Sequence, residues 1–183
     1  STVSSAEEGI STGIIKLDGR LIIILDFEKI MTDINPETGL KLTDIDELGE
    51  RGRYDIPILI AEDSPLLNKL IVDSLHKAGY VNLIHTENGQ QAYDVIKDCK
   101  EEGTLKEHVQ CIITDIEMPI MDGHRLTKLV KEDDETKDIP VIIFSSLVND
   151  EMRRKGEALG ANAQLSKPEI GNLVRVVDQL VLD

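Results

Sequence analysis

From Pro57 onward the chain alternates short apolar runs with longer stretches in which apolar residues recur every three or four positions. Four or five consecutive apolar residues between turn residues read as a buried strand, and the 3.6-residue period reads as a helix with one inward face. Ile58–Ala61 is the first strand of this kind. Ser64-Pro65 then supplies a cap and a first-turn proline for a helix running to about Ala78, with Leu67, Leu70, Ile71, Ser74 and Leu75 inward. Val81–Ile84 reads as a second strand, and Gly89 to about Lys100 as a helix burying Ala92, Val95 and Ile96. The third strand is Gln110–Thr114, followed by a helix from about Gly123 to Lys131. Strand Val141–Phe144, helix Asp150–Leu159, strand Ala163–Leu165 and a last helix from about Glu169 to Leu182 complete the series. Strands alternating with helices predict an α/β domain, a doubly wound parallel sheet, over residues 56–183.

Upstream the pattern is different. Ser1 to Thr12 read as an irregular polar lead-in. Ile14–Leu17 and Leu21–Leu25 are apolar runs joined by Asp18-Gly19, the strongest short-range signal for a β-hairpin. Asp26 is placed to cap a helix through Ile34, which Asn35-Pro36 ends. A hairpin and one helix bury too little surface to stand alone. They are expected to pack on the following domain or on a second chain, as in a homodimer formed through this fragment. Asn35 to Asp55 are charged and read as a solvated linker, with a short helix near Leu42 to Leu48.

Composition narrows the function classes. The chain has 183 residues, 40% hydrophobic and 30% charged, with no Trp. The core must therefore rest on Ile, Leu and Val. The net charge of −15 argues against binding nucleic acid through its phosphates, which needs clustered Lys and Arg. Cys99 and Cys111 form no C-x-x-C pair, so neither a disulfide framework nor a structural zinc is expected, and a cytoplasmic setting fits. No apolar run approaches the roughly 20 residues of a membrane span, so no membrane insertion is expected. No signal peptide is evident. The chain starts at Ser rather than Met and is expected to begin partway through a longer protein.

The chemistry concentrates where the strands end. Strand one is followed by Glu62-Asp63, strand three by Asp115, strand four by Ser145-Ser146 and strand five by Lys167-Pro168. Ligands of open parallel sheets bind outside the carboxyl ends of the strands. Three carboxylates in one place raise one another's pKa unless a cation sits among them, and oxygen ligands with waters left over suit Mg²⁺. A lysine and a hydroxyl add a positive charge and a donor for an anion. These are the parts of a phosphoryl site whose covalent product is an aspartyl-phosphate. Against this, a strand-end aspartate such as Asp115, taken alone, can equally well only start a turn or cap a helix.

The same residues carry a resemblance. Glu62-Asp63, Asp115 with Met118-Pro119 and Asp122-Gly123, Ser145 after Val-Ile-Ile-Phe, Gly160-Ala161 and Lys167-Pro168 together resemble the receiver domain of two-component response regulators. The stretch Gly13 to Met31 resembles the closing strands and helix of a CheW-type coupling domain. The order of the two resembles the CheV-type chemotaxis proteins. The resemblance implies a flavodoxin-like (CheY-like) fold of five parallel strands over residues 56–183, after a CheW-like fragment and linker over residues 1–50. It implies that Asp115 accepts a phosphoryl group from a CheA-type histidine kinase, with chemoreceptors as further partners. Mg²⁺ would be held by Asp63, Asp115 and the backbone carbonyl of Glu117, with Glu62 acting through a water. Ser145 would hydrogen-bond the phosphoryl oxygens, Lys167 would pair with them, and the bond before Pro168 would be cis. The output surface would lie around the helix of the 150s and strand five. One position departs from the family: an aromatic residue is usual three before the lysine, and here Gln164 stands there.

Two enzyme-like or cofactor-binding readings compete. Asp115-Ile116-Glu117 faintly imitates the D-x-D of haloacid-dehalogenase phosphatases, but that motif wants a second Asp. A flavin-binding module needs a phosphate loop after strand one, and Glu62-Asp63 would repel a phosphate. The preferred reading is a phospho-regulated adaptor that turns over no small molecule. His76, His85, His108 and His124 read as surface or helix-end residues, Met118 and Met121 as loop packing, and Ser146 as a cap for the next helix.

Overall fold

A computed structural model of the chain describes residues 11–17, 20–25, 51–146, 149–167 and 169–182. The chain divides into two compact units, Ser1–Leu40 and Lys41–Asp183. In the first, β1 (Ser11–Leu17) pairs antiparallel with β2 (Arg20–Leu25), and Leu17 faces Arg20 so that only two residues separate the strands. This is the hairpin expected from Asp18-Gly19, with β1 beginning three residues before Ile14 and a register shift between Ser11 and Gly13. The helices expected at Asp26–Ile34 and near Leu42–Leu48 lie outside the described residues.

The second unit is built on β3 (Ile58–Ala61), β4 (Leu83–Thr86), β5 (Cys111–Thr114), β6 (Val141–Ser145) and β7 (Ala163–Ser166). They form one sheet in the order β4-β3-β5-β6-β7, parallel throughout. After β4 the chain crosses back over β3 to reach β5, so the sheet grows in opposite directions on either side of β3. That reversal leaves a crevice outside the carboxyl ends of β3 and β5. The strands read as continuous apolar runs because both faces are covered. Ile58, Leu59, Ile60, Ile112, Ile113 and Val141–Phe144 are all buried.

The helices are α1 (Pro65–Lys77), α2 (Gly89–Glu102), the short α3 (Leu105–His108), α4 (Gly123–Glu132), α5 (Asp150–Ala158) and α6 (Ile170–Val181). α1 packs with α6, and α4 packs with both α2 and α5. Side-chain caps set four helix starts: Ser64, Asn88, Asp122 and Asn149 accept from the backbone N–H three residues on. The cap of α5 is thus Asn149, whose side-chain oxygen lies 2.8 Å from Met152 N, and not Ser146, which is exposed.

Three further expectations are corrected. The second strand begins at Leu83 rather than Val81, because Tyr80 and Val81 are engaged elsewhere: Tyr54 N–H donates to Gly79 O, and Val81 N–H donates to Tyr54 O. Residues 51–55 are therefore not solvated linker but a strap on the second unit. Arg51 makes a bidentate pair with Asp178 at 2.7 Å through both terminal nitrogens, and its Nε donates to Ala78 O. The short helix α3, whose four residues give too little periodicity to register, brings the helices among the described residues of this unit to six.

Candidate functional site

The register of the sheet brings the polar strand ends together. Ala61 faces Thr114, so Glu62 and Asp115 leave adjacent strands side by side, and Ser145 faces Ser166, the residue before Lys167. Backbone hydrogen bonds extend the ladder one step into the site: Glu62 N–H to Thr86 O, Asp115 N–H to Ala61 O, and Lys167 N–H to Ser145 O. The functional side chains thus start from a rigid sheet rather than from mobile loops.

At their tips, carboxylate oxygens of Glu62, Asp63 and Asp115 lie within 4.8 Å of one another. Lys167 Nζ is 2.6 Å from Asp115 Oδ2 and 3.0 Å from Glu62 Oε2. Glu62, Asp115 and Lys167 are buried, while Asp63 is exposed and opens the cluster to water. The remaining Asp115 oxygen, Oδ1, accepts from Ile116 N–H at 2.6 Å. Behind it the backbone is pressed close: a Cβ on Gly123 would lie 1.9 Å from Asp115 O, so the first residue of α4 must be glycine to let the helix abut this carbonyl.

The electrostatics follow from this burial. Loss of water pushes the Glu62 carboxyl above its usual range, and the pairing with Lys167 only partly offsets it. Burial also pushes the Lys167 ammonium down, but Asp115 and then Glu62 more than compensate, so the lysine ends above its usual value and stays charged. One lysine, paired with Glu62 and Asp115, in a cluster of three carboxylates leaves the cluster net negative. Glu62 Oε2 is buried with no hydrogen bond directed at it, although Lys167 Nζ is within ion-pair distance. An unsatisfied buried carboxylate oxygen beside two others, one of them open to water, fits a hard divalent cation that keeps part of its hydration shell.

Glu117 is exposed and its carboxylate is not among the three that converge. It lines, with Asp63, Met118, Asp122, His124 and Lys155, a cavity of about 500 Å³ beside the cluster. The D-x-D reading of Asp115-Ile116-Glu117 gains no support from that placement. Ser145 is fully buried at the end of β6. Pro168, and with it the expected cis bond, lies outside the described residues. A larger cavity, about 900 Å³, opens at the opposite end of the sheet among Leu105, Val109, Ile139 and Pro140, away from the carboxylates.

Two features were not read from the sequence. His124 is at a helix end as expected, yet buried; it belongs to the inward face of α4 with Leu126, Thr127 and Val130. The placement of Gln164 was equally hidden: its amide donates to Arg153 O at 2.7 Å, tying β7 to α5. Met121 packs in the core and Met118 is half-buried against it, as expected of loop packing.

A parallel sheet in this order, with an acidic crevice at the point where the strand order reverses, defines a doubly wound receiver-type module. The model of the response regulator receiver domain family matches residues 58–178, and the chain belongs to that family. It is 33% identical over 172 residues to the chemotaxis protein CheV2 of Helicobacter pylori (strain ATCC 700392 / 26695), covering 90% of this chain and 51% of that protein. It is also 33% identical over 114 residues to the polar-differentiation response regulator DivK of Brucella anthropi, covering 61% of this chain and 83% of that one. Among solved structures, a response regulator from Chloroflexus aurantiacus J-10-fl superposes with a TM-score of 0.62 at 25% identity, over 71% of this chain and all of that one. The chain spans about half the length of the CheV2 protein it matches. No helix among the described residues is long and apolar enough to cross a membrane.

Proposed function

We propose that this chain is part of a CheV-type chemotaxis adaptor in which Asp115 accepts a phosphoryl group from a phosphohistidine of a CheA-type kinase. The observation that carries the reading is the convergence of the Glu62, Asp63 and Asp115 carboxylates, two of which, Glu62 and Asp115, pair with the buried ammonium of Lys167. In the transfer the P–N bond to the donor imidazole breaks and a P–O bond to Asp115 forms. The electron pair of the broken bond stays on the imidazole nitrogen. Asp115 is held ready by Ile116 N–H and Lys167, so little reorganisation is left for the moment of transfer. Lys167 moves from pairing with a carboxylate to pairing with phosphoryl oxygens, and Ser145 at the end of β6 supplies a hydroxyl toward the same group.

Mg²⁺, held by Asp63, Asp115 and the Glu117 carbonyl with Glu62 acting through water, would offset charge on the transferring group. The hairpin unit is the end of a CheW-like coupling domain, and chemoreceptors are its partners, in the cytoplasm. The chain turns over no small molecule; phosphorylation changes the coupling of receptor to kinase. Incubation with a small phosphodonor and Mg²⁺ followed by intact mass should add one phosphoryl group to the wild type and none to Asp115→Asn. Equal labelling of both proteins would remove Asp115 from the role.

A further inference from the structure

Three large apolar side chains are well exposed among the described residues: Leu66 at 56%, Ile120 at 78% and Leu182 at 42%. Leu66 and Ile120 both lie just after site carboxylates. Leu66 is in the first turn of α1, three residues after Asp63, and Ile120 is in the loop five residues after Asp115. Because β3 and β5 are neighbours in register, these two segments leave the same end of adjacent strands.

Ile120 is held in an unfavourable conformation. Met121 N–H donates to Pro119 O at 2.7 Å, closing a three-residue turn around Ile120 at φ 68°. It is the single non-glycine residue with positive φ among the described residues, and it is β-branched, the side-chain type that tolerates that region least. The frame forces the turn from both sides. Met121 is buried and its carbonyl accepts from Gly89 N–H, and Gly123 N–H donates to Ile116 O. A glycine or asparagine would meet the same turn at lower cost. The isoleucine gains no burial in return, so its use is to be sought outside the chain.

We propose that Leu66 and Ile120 are the apolar anchors on which the phosphohistidine-bearing donor protein seats itself over Asp115. This rests on the reading of Asp115 as phosphoryl acceptor. Asp115 is buried, so a donor imidazole reaches it only if the donor surface closes down on this rim. The rim also carries the exposed carboxylates of Asp63, Glu117 and Asp122, with Lys155 the cation lining the same cavity. The matching donor surface is an apolar patch flanked by Lys or Arg.

The test compares two donors on the intact chain with Mg²⁺ present: acetyl phosphate, and the phosphotransfer domain of a CheA-type kinase charged on its histidine. Ile120→Asn keeps a residue suited to the turn, and Leu66→Gln keeps a good helix former; both remove the apolar contact. Each variant should raise the acceptor concentration for half-maximal transfer from the protein donor by about tenfold or more, as loss of an anchor residue does. Labelling by acetyl phosphate should match the wild type, and Ile120→Asn should melt no lower than the wild type. Unchanged half-saturation with the protein donor would overturn the proposal, as would a parallel loss with acetyl phosphate. If the wild type takes phosphate from neither donor, the acceptor reading itself has failed and the docking surface falls with it.

Discussion

Lys167 Nζ stands 2.6 Å from Asp115 Oδ2, and both side chains are buried. With Glu62 Oε2 at 3.0 Å, one ammonium holds two carboxylates that would otherwise repel each other at the bottom of the crevice. Removing one partner of a buried ion pair leaves an uncompensated charge and costs on the order of 3–5 kcal/mol. Lys167→Met should therefore lose about 3 kcal/mol in urea unfolding with chelator present, nearer the low end because Asp63 opens the cluster to water. Mg²⁺ should restore more stability to the variant than it adds to the wild type, since the ion then replaces the missing charge. Asp115→Asn leaves Lys167 its Glu62 partner and should cost less. Equal stability of Lys167→Met and wild type in chelator would show that the pair does not hold the crevice together.

The alkaline limb of the stability curve follows from Lys167 and Tyr80. Burial raises the Tyr80 phenol, and its hydrogen bond to Asp178 raises it further. Lys167 is raised by its carboxylate partners against the opposing effect of burial. Both groups hold protons in the folded state at a pH where the unfolded chain, with values of about 10, has begun to release them. The folded state then binds more protons than the unfolded one, so stability is fully present below about pH 10 and falls as pH rises beyond it. Tyr80→Phe should be about 1 kcal/mol less stable at pH 8, where the hydrogen bond is lost, yet decline less steeply above pH 10. Parallel curves from pH 8 to 11 would remove Tyr80 from this account.

Asp178 joins Tyr80 to the strap. It accepts from Tyr80 Oη and from both terminal nitrogens of Arg51, whose guanidinium also lies 5.4 Å from the centre of the Tyr54 ring. Exposed ion pairs contribute little, but this one is bidentate and mostly shielded, with 15% and 20% of the two side chains accessible. Arg51→Ala should cost about 1–2 kcal/mol, measured by urea unfolding of the whole chain. The receiver would then be destabilised by a residue seven positions before its family match begins. No change on substitution would return residues 51–55 to the status of a solvated connector.

What the sequence disclosed and withheld divides along the range of the interaction. Strands β3, β5 and β6 are apolar on both faces and could be read directly, as could the caps at Ser64 and the carboxylates at strand ends, because each signal is local. The strap was hidden because Arg51 and Tyr54 sit in a charged stretch and their partners are distant: Arg51 pairs with Asp178, more than 120 positions later, and Tyr54 with the backbone of Gly79 and Val81 and the ring of Tyr80. His124 is one polar residue on an otherwise ordinary inward helix face, so the period pointed inward while the residue type pointed outward. In the sequence Gly123 reads as the start of a helix and part of the family motif, whereas the structure requires it for the approach to Asp115 O. Gln164 was visible as a departure from the aromatic residue usual in the family, but nothing local says where its amide goes.

That amide goes to α5, and the fit is tight enough to test. Gly156 is the buried residue of α5, and a Cβ placed on it would lie 2.3 Å from Gln164 Oε1 and 2.6 Å from Gln164 Cδ. α5 is mostly polar, and it meets β7 at this glycine notch and through the Gln164 bond to Arg153 O. Gly156→Ala alone should be nearly neutral: the helix gains about 1 kcal/mol from alanine, and about as much is lost when the amide is displaced from the carbonyl. With Gln164 already cut back to alanine the notch is empty, and the same Gly156→Ala change should stabilise by about 1 kcal/mol. A double-mutant cycle by urea unfolding should therefore give a coupling of about 1 kcal/mol between positions 156 and 164. Strict additivity would mean that Gln164 does not seat α5, and that the helix is held on the sheet by some other contact.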